Sequence, residues 1–126
     1  MAGDAGRVVE NLWAAVAAGD WDAAGALMHD GFVQEWPQSG ERIVGRENSL
    51  AIDRNFPGGM PKLTVRRIRS AGDVAAVEID LEYADGSRFQ GVSILELRDG
   101  KIVQETDYFA QPFGAPQWRA QWVERM

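Results

Sequence analysis

Cysteine is absent from the 126 residues and histidine occurs once. Disulfides, thiolate nucleophiles and cysteine-bound metals are thereby excluded together, and the lone His29 cannot hold a metal unaided. No metal and no cofactor are expected. Basic residues are scarce as well: 13 Lys and Arg stand against 19 Asp and Glu, a net charge of -6. That balance offers no attraction to a phosphate backbone or an anionic membrane, so neither nucleic acid nor membrane is expected as a partner. A long apolar run is also missing. The most apolar stretch, Leu12 to Met28, is broken by Asp20 and Asp22, which rules it out as a membrane span. The opening MAGDAG lacks the basic and apolar regions of a signal peptide. With no cysteine to oxidise, the expected location is the cytoplasm.

What is present is enough apolar content, 45% of the chain, to build one core, and the length fits one domain spanning residues 1–126. Val9, Leu12, Trp13 and Val16 follow helical spacing from Gly6 to Ala18, and Gly19 ends the run. Asp20 is placed to cap a second helix, Trp21 to Met28. Asp30-Gly31 reads as a turn, and Phe32 to Trp36 as an edge strand stopped by Pro37, Ser39 and Gly40. His29, at a helix end, reads as a capping or surface residue. Gly45 opens a third helix through about Asn55, with Leu50 and Ile52 inward, and Pro57-Gly58-Gly59 closes it.

Beyond Pro61 the period changes to two. Leu63 to Ile68, Val74 to Tyr83, Ser87 to Leu97 and Lys101 to Phe109 read as four antiparallel strands joined by tight turns. Trp118 and Trp122 lie four apart in a short C-terminal helix after Pro116. The fold class is therefore α+β: about three N-terminal helices on a curved, cone-shaped antiparallel sheet, with a hollow at its wide end. In the second of these strands Ala75, Val77, Ile79, Leu81 and Tyr83 share the inner face, while Glu78, Asp80 and Glu82 are a solvated outer face. In the last strand both faces mix polar and apolar residues. Lys101, Val103, Glu105, Asp107 and Phe109 share one side and Ile102, Gln104, Thr106 and Tyr108 the other, and periodicity does not choose between them.

The segments AAGDWDAAGALMHD, VGREN, GDVAAVEIDLEY and LRDGKIVQETDYF, in this order and spacing, make the chain resemble the SnoaL-like and ketosteroid-isomerase-like branch of the nuclear-transport-factor-2-like superfamily. The resemblance implies the cone fold, a pocket between helices and sheet, and homodimers formed through the outer sheet face. It also implies that Asp107 points into the pocket, so that Glu105 shares its wall. Leu12 stands where ketosteroid isomerases carry the oxyanion tyrosine, and Trp36 where they carry the general-base aspartate. Val77 and Ile79 stand about where epoxide hydrolases of this fold carry an arginine and a second aspartate. The SnoaL-like pattern of one pocket aspartate among aromatic and polar neighbours is the variant least contradicted.

The expected chemistry follows from burial. A carboxylate among Trp13, Trp36, Phe109 and aliphatic strand residues such as Val77 and Ile79 loses solvation, and a second one close by raises a pKa further. Asp107 is expected to abstract a proton next to a carbonyl, with Glu105 holding or sharing a proton. Gln34, Ser93 or Tyr108 would offer hydrogen bonds to an enolate-like oxygen. Isomerisation or cyclisation of an apolar or carbonyl-bearing small molecule is the leading expectation. Epoxide hydrolysis, a non-catalytic binding module and an assembly module are the alternatives. A purely structural use of the same acids, as ion-pair partners of Arg42, Arg46 or Lys101, also stands open. The loop Phe56 to Pro61 is a candidate lid. The aromatic tail carrying Phe113, Trp118 and Trp122 is expected either to plug the cone or to pack across a dimer. Apolar residues on both faces of the strand around Val92 and Ile94 point to a homodimer.

Overall fold

The computed structural model describes residues 2–126, with side chains from Ala5 onward. Met1, within the stretch read for a signal peptide, lies outside the described residues. Helix α1 (Ala2–Ala18) buries Ala5, Val9, Leu12 and Val16, the stripe its spacing predicts. Gly19 ends it at φ 70°, a left-handed conformation that costs glycine little. The Asp20 carboxylate accepts from Ala23 N at 3.1 Å and caps α2 (Trp21–Ala26), satisfying an amide the short helix would otherwise leave unpaired.

Six strands form one curved, unclosed sheet: β1 (Met28–Trp36), β2 (Glu41–Val44), β3 (Lys62–Ala71), β4 (Val74–Glu82), β5 (Arg88–Arg98) and β6 (Lys101–Ala110). Helix α3 (Arg46–Arg54) lies between β2 and β3 in sequence, and a 3-10 helix (Gln117–Trp122) ends the chain. The spatial order is β2-β1-β6-β5-β4-β3. Every neighbouring pair is antiparallel except β1 and β6, which run parallel. The expected edge strand is thus an inner one. Its outer neighbour is β2, four residues with only Ile43 buried, too short to show a period. Met28, expected at the end of α2, starts β1 instead. Asp30-Gly31 lies within that strand, where its pairing with β6 shifts register between Met28 and Val33. His29 belongs to β1 too, and its Nδ1 accepts from Gly31 N at 3.0 Å.

A bulge in β6 decides what enters the hollow. Leu97 pairs with Ile102 but Glu96 with Gln104, so Val103 is an extra residue and the strand changes face across it. Ile102 on one side of the bulge and Glu105 and Asp107 on the other therefore all point inward and are buried. Tyr108 points outward and is 45% exposed. Along β4, Ala75 and Val77 are fully buried with Phe32, Leu95 and Ile102 in the core under α1. Burying each of the larger side chains contributes about 1.5–3 kcal/mol. Further along the same face Ile79, Leu81 and Tyr83 line open space. The core thus occupies one end of the cone and the cavity the other.

Candidate active site

A cavity of about 440 Å³ lies between α1, α3 and the inner sheet face. Leu12 and Trp13 of α1 form one wall, with Trp36 and Phe109 from the sheet and Phe56, Met60 and Pro61 from the loop after α3. That loop, the candidate lid, places three side chains on the cavity. Phe56, Tyr83 and Phe89 form an aromatic run, with ring centroids 5.8 Å and 5.2 Å apart. Gly91 gives the Phe109 ring its room. A Cβ there would stand 3.1 Å from Phe109 Cδ1 and 3.2 Å from Ile79 Cγ1.

Strand register assembles the polar centre. β1 sets Gln34 beside Glu105, and β5 sets Ser93 beside Asp107. Asp107 accepts three hydrogen bonds: from Ser93 Oγ at 2.6 Å to Oδ1, and from Gln34 Nε2 at 2.6 Å and Trp36 Nε1 at 2.9 Å to Oδ2. Gln34 Nε2 also donates to Glu105 Oε2 at 3.1 Å. The Asp107 carboxylate, which only accepts, turns the amide nitrogen toward the acids, and on the other side Oε1 accepts from Ser49 Oγ at 2.8 Å. Gln38 makes a bracket at the mouth: its Nε2 donates to Phe109 O and its Oε1 accepts from Phe109 N.

Both acids are almost wholly enclosed, Asp107 at 3% and Glu105 at 6% exposure. Burial first, then the charge on Asp107 and a hydrogen bond with it, and lastly Asp53 push Glu105 well above the ordinary carboxyl range. Glu105 is therefore the member of the pair that keeps a proton. A third acid, Asp53, lines the same cavity one helical turn beyond Ser49. Desolvation, and secondarily the charge on Asp107, push it up to about 6. No Lys, Arg or His lines the cavity among the described residues. The arginines read as structural partners of the pair lie elsewhere. Arg42 pairs with Glu35 at 2.9 Å and Arg46 with Asp30 at 3.1 Å. Among the described residues no cluster of His, Asp and Glu has the geometry to hold a metal ion.

Of the residues read from the sequence, Trp13, Gln34, Trp36, Ile79, Ser93, Glu105, Asp107 and Phe109 meet at this cavity. Val77 and Tyr108 do not. Val77 sits too deep, at the core end of β4, and Tyr108 is turned out by the parity the bulge imposes. Trp36 supplies an indole donor to Asp107. Trp118 and Trp122 are 73% and 71% exposed and leave the cavity unplugged. Sequence reasoning missed Ser49 and Asp53. Their signal was the stripe Ser49, Leu50 and Asp53 at three-and-four spacing, the inward face of α3.

The SnoaL-like domain family matches residues 9–105. Among solved structures, an NTF2-like protein of unknown function from Burkholderia xenovorans is 41% identical, over 98% of this chain and 96% of that one, with a TM-score of 0.88. A putative ketosteroid isomerase from Kribbella flavida is 30% identical over 99% and 91%, with a TM-score of 0.91. An LEH-like epoxide hydrolase from M. tuberculosis is 26% identical over 86% and 84%, at 0.74. No curated protein matches the sequence. A match of this extent, joined to the cone of helices and sheet around an acid-lined cavity, makes the chain a member of the SnoaL-like family with an NTF2-like fold.

Proposed function

We propose that the cavity carries out cofactor-independent acid/base chemistry on a small molecule, by proton abstraction next to a carbonyl. The observation that carries this reading is the enclosed Glu105–Asp107 pair, in which Glu105 keeps a proton and Asp107 accepts three neutral donors with no cation alongside. Asp107 Oδ1 accepts from Ser93, and a carboxylate oxygen has a further lone pair for the substrate proton. As the C–H bond breaks, its electron pair moves into an enolate and charge grows on the carbonyl oxygen. The Glu105 carboxyl, released from its hydrogen bond to Asp107 as Asp107 takes up the substrate proton, donates to that oxygen. Return of the proton at another carbon gives an isomer, and attack by the carbanion on an electrophile in the same molecule gives a ring.

The test is exchange of α-protons in heavy water across a panel of cyclic ketones and enones, followed by NMR. Wild type is expected to exchange at least one member, and Asp107→Asn to slow that exchange about 100-fold or more. Full-rate exchange by Asp107→Asn removes the assignment. Epoxide opening is the second reading, favoured by the likeness to the LEH-like enzyme and by the acid-and-anion pairing. Glu105 would protonate the epoxide oxygen while Asp107 takes a proton from water. Diol formation from terpene epoxides tests it. A binding module would keep ligand affinity and show neither reaction. Val92, Ile94 and Tyr108, exposed on the outer sheet face, support a homodimer through that face, and sedimentation as a monomer at micromolar concentration would remove it. The cysteine-free composition supports a cytoplasmic location.

A further inference from the structure

We infer that the carbonyl-bearing molecule taken into this cavity is also a cation, carrying an ammonium group on an otherwise apolar body, with Asp53 as its counter-ion. The inference rests on the reading of the cavity as a small-molecule site and goes on to the charge of what fills it. Asp53 accepts no hydrogen bond and makes no ion pair among the described residues, unlike Asp107, whose charge is met by Ser93, Gln34 and Trp36. A partly buried carboxylate without a partner is a cost the fold carries alone, and one that a cationic ligand relieves on arrival.

Three further features favour the same sign of charge. Asp53 lies in the last turn of the nine-residue α3, where the helix dipole is negative and cations are stabilised. Phe56, three residues on, and Tyr83 beside it line the same space, and aromatic rings attract an ammonium that settles over a face. The cavity wall holds Asp53, Glu105 and Asp107 against no basic side chain among the described residues. An anionic ligand would meet two like charges and no compensation. A neutral one would leave Asp53 desolvated and unpaired.

The test uses three probes of one shape: phenylbutylamine, phenylbutanol and phenylbutanoate, titrated against the full chain at neutral pH by NMR or calorimetry. The amine is expected to bind about tenfold tighter than the alcohol, and the carboxylate more weakly than either. Asp53→Asn is expected to abolish the amine's advantage while changing alcohol affinity by less than about twofold. Equal affinity for amine and alcohol in the wild type, or an amine preference that survives Asp53→Asn, overturns the inference and leaves the acid/base reading untouched. Binding of none of the three also overturns it. Loss of proton exchange in Asp107→Asn bears on the acid/base reading alone.

Discussion

On the outer face of the sheet Glu78 and Asp80 stand 3.4 Å from Arg67 and 3.8 Å from Arg66 and stay nearly half exposed. On the inner face Glu105 and Asp107 are enclosed, and with the partly buried Asp53 of α3 they face no cation among the described residues. The same functional group on one sheet thus meets two solvents. Outside, water screens the charge and the ion pairs are worth little. Inside, a charge must be met by aimed dipoles, as at Asp107, or given up to a proton, as at Glu105, or left waiting, as at Asp53. The acids that differ in this way differ only in strand parity and in which helix face carries them.

The contrast can be broken most severely at Asp107. Its change to asparagine is expected to cost about 100-fold or more in turnover, whereas Asp80→Asn should leave turnover unchanged. Equal losses would erase the distinction. Next is Asp53→Asn, read by thermal or denaturant unfolding. Native Asp53 keeps its proton up to about pH 6, while a free aspartate gives it up near 3.8. The fold therefore loses stability as pH rises through that window. The variant should show a shallower slope there, with the part due to Glu105 remaining, and be about 1–3 kcal/mol more stable at neutral pH.

A further probe is Glu105→Gln, which mimics the protonated side chain without the cost of taking up a proton on folding, and should therefore be more stable than wild type at neutral pH. Wild type should lose stability as pH climbs through the raised pKa of Glu105, because ionisation there sets a second charge beside Asp107; the variant should not. The smallest effect belongs outside. Removing Glu78 or Asp80 should shift stability by about 0.5 kcal/mol or less, and less still at high salt.

The helices, the Asp20 cap and the inward set Ala75, Val77, Ile79 and Leu81 were legible because each follows a simple period or a local signal. The four consecutive strands were legible too, and so were the solvated acids of β4. Periodicity fell silent on β6 for a physical reason: the bulge at Val103 shifts the alternation by one, so each nominal face holds residues of both kinds. Only the family resemblance turned Asp107 inward, and carrying Tyr108 in with it ignored the alternation beyond the bulge. The strand β2 was invisible because four residues with one buried side chain hold no pattern. Asp53 escaped because a charged residue on an amphipathic helix is ordinarily assigned to solvent, and the hollow that admits it is a property of the whole sheet.

The bracket that Gln38 makes on Phe109 has a consequence for the mouth of the cone. Pairing between β1 and β6 runs out at Glu35 and Thr106, so the last residues of β6 would show bare peptide groups along the gap where a ligand must pass. An open peptide edge invites a foreign strand to zip onto it. By giving Phe109 the donor and acceptor a neighbouring strand would have supplied, one glutamine side chain lets the doorway stay wide without leaving it sticky.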